Sequence, residues 1–215
     1  MSTAWMHGLL RADGTAGACE VIKVGGSLLG VPGWPGLIAE LVRNRAAARP
    51  VVLVVGGGPI VDGMRLIDAA APQPAALMHA LAIDLMGTTA RLVAAALALP
   101  VVAERGAEDA AVLDVPRWLA ATGQGARLPI GWDVTSDSIA AHVAALTGDL
   151  LLAKRVPPPC SGVERLEELA RTGWVDRHFP AAAADVGRIA WVAPSSVPVP
   201  GVGGTALEGR DAGRT

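Results

Sequence analysis

Five short apolar runs rich in β-branched residues recur along the chain, at 20–24 (EVIKV), 51–55 (VVLVV), 101–104 (VVAE), 149–153 (DLLLA) and 188–192 (RIAWV). A strand that is apolar on both faces must be covered on both. The stretches between these runs carry apolar residues at helical spacing and can supply that cover. The pattern therefore predicts an α/β protein, a three-layer α/β/α sandwich around a mostly parallel open sheet. Hydrophobic residues make up 52% of the chain and aromatics only 3%, so its core must be built from Ala, Val, Leu and Ile.

The first two connections, GWPGLIAELVRNRAAA and PIVDGMRLIDAAA, read as helices. In the second, Ile60, Met64, Ile67 and Ala71 form the expected apolar stripe. The longest helix, ALMHALAIDLMGTTARLVAAALAL, starts after Pro74 and ends before Pro100. It is too apolar for a solvent-exposed rod, so it is expected to be buried within the subunit or against another one. A segment at 1–18 precedes a single domain at 19–208, and 209–215 is a tail. PPPC at 157–160 and PSSVPVPG at 194–201 read as irregular loops.

A net charge of -2 removes the electrostatic footprint of a nucleic-acid binder. Cys19 and Cys160 have no CxxC partner, so neither a disulfide framework nor a structural zinc site is expected, and no metal site is assigned. The opening MSTAWMHGLLRADGTAGAC lacks the basic start and long apolar run of a leader, and no apolar run reaches the length of a membrane span. The expectation is a cytoplasmic protein with neither nucleic-acid nor membrane partners.

Two strands run straight into glycines: VIKVGGSLL at 21–29 and VVGGGPIVD at 54–62. Each glycine costs about 0.5–1 kcal/mol relative to alanine in regular structure, so five of them point to a need for bare backbone. Gly25, Gly26, Ser27, Gly56, Gly57 and Gly58 can bring main-chain N–H groups close to a phosphate at the start of the following helix. Neither loop is a GxxxxGK[ST] phosphate loop or a dinucleotide fingerprint. Lys23 projects to the sheet face opposite Ile22 and Val24, where an ammonium either suits a phosphoryl group in transfer or snorkels to solvent from the strand end. In GWDVTSDSIAAHVAAL, Ile139, Val143 and Leu146 make a helical stripe with Asp137 at its start. Asp137 is either a capping carboxylate or an anchor for basic groups. Asp62 and Asp84 are candidates for a cationic group on a substrate, with an ordinary salt bridge favoured for Asp84. His79, His142 and His178 read as packed histidines.

VIKVGGSLL, VVLVVGGGPIVD and TSDSIAA together resemble the amino acid kinase family, over roughly 19–153. The resemblance implies ATP with Mg2+ as phosphoryl donor, Lys23 and Asp137 as catalytic residues, and the glycine loops and Asp62 around a small-molecule phosphate substrate. It further implies an acceptor half at about 19–130, a reduced nucleotide half at about 131–208, and a homodimer or higher homo-oligomer paired through helices. MHALAIDLM, WDVTSDSIA and WVDRHFP are most similar to the kinases of methanofuran biosynthesis, which implies an aminomethylfuran methyl phosphate as acceptor and a diphosphate product.

The nucleotide half departs from the family pattern. A second catalytic lysine is expected after HFP, where this chain has AAAADVG, and AKRVPPPC replaces the usual TDVDG-like loop. Lys154 and Arg155 are the candidates to supply the missing charge, and Gly204 and Thr205 are what remains of a nucleotide-binding GT. The alternative is an accessory protein that keeps the anion cradle without nucleotide turnover.

Overall fold

The computed structural model describes residues 5–14, 17–104, 106–146, 148–159 and 166–195. Seven strands among them, β1 (Trp5–Ala12), β2 (Cys19–Val24), β3 (Val51–Val55), β4 (Val101–Val102), β5 (Ala110–Leu113), β6 (Gly148–Ala153) and β7 (Arg188–Pro194), form one sheet in the order β1-β7-β6-β2-β3-β5-β4. All neighbours are parallel except β1 and β7. The mostly parallel α/β sandwich read from the apolar runs is therefore observed.

The helices are α1 (Trp34–Ala46), α2 (Gly58–Ala70), α3 (Ala75–Leu97), α4 (Val115–Thr122), α5 (Ser136–Ala145), α6 (Leu166–Arg171) and α7 (Phe179–Ala182). Alternation along the strands divides the core. Ile22, Val24, Leu53 and Leu151 pack with Ile38 and Leu41 of α1 and Val93 of α3. Val21, Val52, Leu150 and Leu152 pack on the other face with Ile139 of α5, Trp118 of α4 and Phe179 of α7.

Two strands go beyond the expected five. β1 draws residues 5–12 of the expected N-terminal segment into the sheet, as an antiparallel edge whose WMHGLLRA does not alternate cleanly. β5 is hidden because AAVL reads as helix by composition. VVAE keeps only two strand residues, at the opposite edge. In α2 the buried positions are Val61 and Met64, while Ile60 and Ile67 of the expected stripe are exposed, so the helix is rotated about one residue from that reading.

Helix α3 buries one stripe, including Met78, Met86, Ala90, Val93 and Ala94, but leaves Leu77, Leu81 and Leu92 exposed rather than buried throughout. Contrary to the sequence reading, it is long and apolar enough by length and composition to cross a membrane, with a mean hydropathy of 1.5 over its most apolar window. Ala90, Val93 and Ala94 of its buried stripe instead pack with β3 and β5 as part of a layer.

At the amino ends of the parallel strands, Glu20 and Asp149 are register partners and almost completely buried. Two like charges side by side would be untenable alone. Arg45 Nε reaches Glu20 Oε2 at 2.6 Å, and Arg49 holds both, with NH2 2.8 Å from Glu20 Oε1 and NH1 on Asp149. This network fixes β2 against β6 at the end away from the glycine loops.

Candidate active site

Lys23 stands near the carboxyl end of β2 and is 4% exposed. Ile22 and Val24 point toward α1, so Lys23 points the other way, toward the start of α5. Its Nζ lies 2.8 Å from Asp137 Oδ1, an ion contact without aligned hydrogen-bond geometry. Lys154, one residue past the end of the neighbouring β6, donates to Asp137 Oδ2 at 2.7 Å and to the Trp174 carbonyl at 2.7 Å. Its ammonium also sits over the Trp174 ring, 5.0 Å from the centroid.

These are the only two lysines in the chain; every other Lys or Arg position is arginine. Each compact ammonium points at a different oxygen of one carboxylate, so that Lys23 and Lys154 share Asp137. Burial alone would push the Asp137 carboxyl up, but the charges of Lys154 and Lys23 override it and hold it at about 2. Burial pushes the Lys154 ammonium down to about 8; Asp137 opposes that shift and the nearby Lys23 adds to it. Asp137 is therefore an anchor for basic groups.

The glycine loops meet directly above this cluster. A Cβ on Gly26 would lie 2.2 Å from the Gly58 nitrogen and 2.5 Å from its Cα, and Gly58 itself has φ +57. Only glycine allows that approach and that backbone. The first glycine of each loop has a different job from the one expected: Gly25 N–H bonds the Ala153 carbonyl at 2.8 Å and Gly56 N–H bonds Val24 at 2.9 Å, each extending the sheet. The N–H groups of Gly26, Ser27, Gly57 and Gly58 make no hydrogen bond among the described residues. Gly26 and Ser27 open the 3-10 turn Gly26–Gly30, and Gly57 and Gly58 open α2, where free amides and the helix dipole favour an anion.

Lysines, loops and α5 line one open cleft of about 590 Å³, within the range of small-ligand sites. Asp62 lies on its rim, exposed and paired with Arg65 at 3.0 Å. Arg65 lies over Trp132, 5.0 Å from the ring centroid, and Trp132 Nε1 donates to Asp68 at 2.9 Å. Arg155 does not line the cleft, nor does Asp84. Gly204 and Thr205 lie outside the described residues. His79 lines the cleft with Nδ1 3.3 Å from the Gly131 carbonyl, while His142 and His178 stack with centroids 6.2 Å apart and do not line it.

Sequence reasoning assigned no role to Asp176. Its carboxylate accepts from Thr135 N–H at 3.0 Å, Thr135 Oγ1 at 2.8 Å, Ser138 N–H at 3.0 Å and the Ser138 hydroxyl, securing the first turn of α5 around Asp137. The only local signal was its place inside WVDRHFP.

The amino acid kinase family model matches residues 19–117. No curated protein sequence matches the chain significantly. Among solved structures, a uridylate kinase from Archaeoglobus fulgidus is similar at TM-score 0.56 and 16% identity, covering 83% of this chain and 91% of that one. A UMP kinase from Ureaplasma parvum gives 0.57 and 16%, covering 83% and 99%. An aspartate kinase from Synechocystis gives 0.53 and 17%, covering 83% of this chain and 40% of that one. The fold is amino acid kinase-like, with a mixed seven-stranded sheet and helices on both faces.

Proposed function

We propose that this chain is a kinase of the amino acid kinase family that transfers a phosphoryl group from MgATP to a small phosphomonoester. The observation that carries the reading is the clasp of Lys23 and Lys154 on Asp137 beneath two glycine loops with free N–H groups. Phosphoryl transfer asks a protein mainly for positioning and for positive charge around the moving oxygens. Lys23 and Lys154 supply fixed ammonium groups, Asp137 orients both, and the amides of Gly26, Ser27, Gly57 and Gly58 bind phosphate oxygens without side chains in the way. The acceptor's own phosphate oxygen is the nucleophile, so no covalent enzyme intermediate is needed. Lys154 takes the place of the lysine missing after HFP. Among the described residues no group of three acidic, His or Cys side chains forms a metal site, and in this reading Mg2+ arrives on the nucleotide phosphates. Family match and fold neighbours that are kinases of uridylate and aspartate support the reading.

For the acceptor, the finer reading is an aminomethylfuran methyl phosphate, giving the diphosphate. Asp62, exposed on the rim, suits a primary ammonium, and Trp132 with Arg65 above it offers a flat wall for a small ring. ADP release from MgATP, with this compound compared against UMP, aspartate and simple phosphomonoesters, tests it. Turnover only with UMP or aspartate would refute the acceptor assignment. The exposed Leu66, Ile67, Leu77 and Leu81 on the adjoining helices α2 and α3 support pairing of two copies there, which light scattering tests.

The second reading, an anion-binding accessory protein, draws on the position of Arg155 outside the cleft. Calorimetry that detects phosphate binding but no MgATP binding would favour it.

A further inference from the structure

The turn between α6 and α7 is pinned at both ends to the two sides of the site. On one side the Asp176 carboxylate takes backbone and hydroxyl hydrogens from Thr135 and Ser138, the residues that flank Ser136 and Asp137, and it also accepts from His178 N–H at 3.1 Å. On the other side, two residues earlier, the Trp174 carbonyl accepts from Lys154 Nζ at 2.7 Å, and Trp174 Nε1 donates to the Val156 carbonyl at 3.1 Å. With the 2.7 Å contact between Lys154 and Asp137, these bonds close a ring: Asp137, the first turn of α5, Asp176, Trp174, Lys154 and back. A simple helix cap would need only the N–H bonds. Here the carboxylate also holds both flanking hydroxyls, and its own turn carries the carbonyl that holds the second lysine.

We propose that Asp176 is a positioning residue for phosphoryl transfer, setting Asp137 through Thr135 and Ser138 and setting the Lys154 ammonium through the turn it shares with Trp174. The inference rests on the kinase reading above. It gives Asp176 a second effect, because its negative charge also favours the protonated form of Lys154. The other charged groups facing that ammonium are Asp137 from α5 and Lys23 from β2, with Arg171 and Arg177 on the same cleft wall.

With only two lysines present, selective 15N-lysine labelling reads their side chains directly and needs no turnover. Asp176→Asn is expected to lower kcat for ADP release from MgATP with the phosphomonoester acceptor by roughly 100-fold, the cost of about 1 Å of misplacement. KM for MgATP should change little. The Lys154 titration midpoint and the alkaline limb of kcat should both move to lower pH. Thr135→Val/Ser138→Ala should lower kcat with the midpoint unmoved, because the charge remains. A folded Asp176→Asn protein with unchanged kcat and an unchanged Lys154 midpoint would overturn the proposal. If that variant does not fold, wild-type kcat in Thr135→Val/Ser138→Ala would overturn it instead. Should Lys23→Met also retain full kcat, the kinase reading is what fails.

Discussion

Lys154 and Asp137 meet at 2.7 Å across the carboxyl end of the sheet, and Lys23 completes the cluster from the adjacent strand on the other oxygen of the same carboxylate. One anion thus holds two cations that would otherwise repel in a nearly dry setting. The consequences for stability and for catalysis can be measured separately.

Asp137→Asn removes the one carboxylate in contact with both buried ammonium groups. Removing one partner from a buried ionic cluster costs about 3–5 kcal/mol, so urea unfolding should show a loss of that order. It should also abolish turnover.

Lys23→Met and Lys154→Met remove charge where the phosphoryl oxygens pass. Each should lower kcat by about 100- to 1000-fold, the usual effect of deleting one donor to a developing anion. Circular dichroism should report a folded protein in both cases, and steady-state ADP release gives the loss.

Lys154 predicts opposite responses of activity and stability to alkali. Its folded value of about 8 lies below the ordinary 10.5, so from about pH 8 to 10.5 the unfolded chain binds a proton that the folded chain has lost. Its contribution to stability therefore rises with pH across that window, while kcat falls as the ammonium is lost. For Asp137 the sign reverses: its contribution is present above the ordinary carboxylate range near 3.8 and lost as pH falls toward about 2. Unfolding curves and kcat measured over the same pH series check both.

Gly26→Ala forces a Cβ into the backbone of Gly58 and should cost more than about 2 kcal/mol, with loss of phosphate binding. Gly36→Ala in α1, where a Cβ meets nothing within 4 Å, should stabilise by about 0.4–1 kcal/mol. Chemical denaturation of the two variants compares them directly.

Much of this site was legible because it is written in local pattern. VIKVGG and VVLVVGGG state a buried strand and a bare turn in consecutive residues, and the face of Lys23 follows from alternation. The partner of Asp137 was harder. The family pattern places a second lysine after residue 180, where this chain has none; of the two candidates for the missing charge it is Lys154, at the end of β6, that reaches Asp137, because the crossover through α5 lays β6 beside β2. Local periodicity carries no information about which distant strands become neighbours. Asp176 escaped for a related reason, since its role depends on hydrogen bonds to a helix start far away in sequence. Ile60 and Ile67 misled because α2 leaves apolar residues on its exposed side, so spacing alone chose the wrong face.

The most direct test of the central claim is a 15N-lysine spectrum of the intact protein recorded during titration with the non-hydrolysable analogue of MgATP. The account predicts two side-chain signals, both shifting saturably with the ligand, and one of them titrating near pH 8 in its absence. Two signals that stay fixed up to millimolar ligand, in a protein shown to be folded, would contradict it.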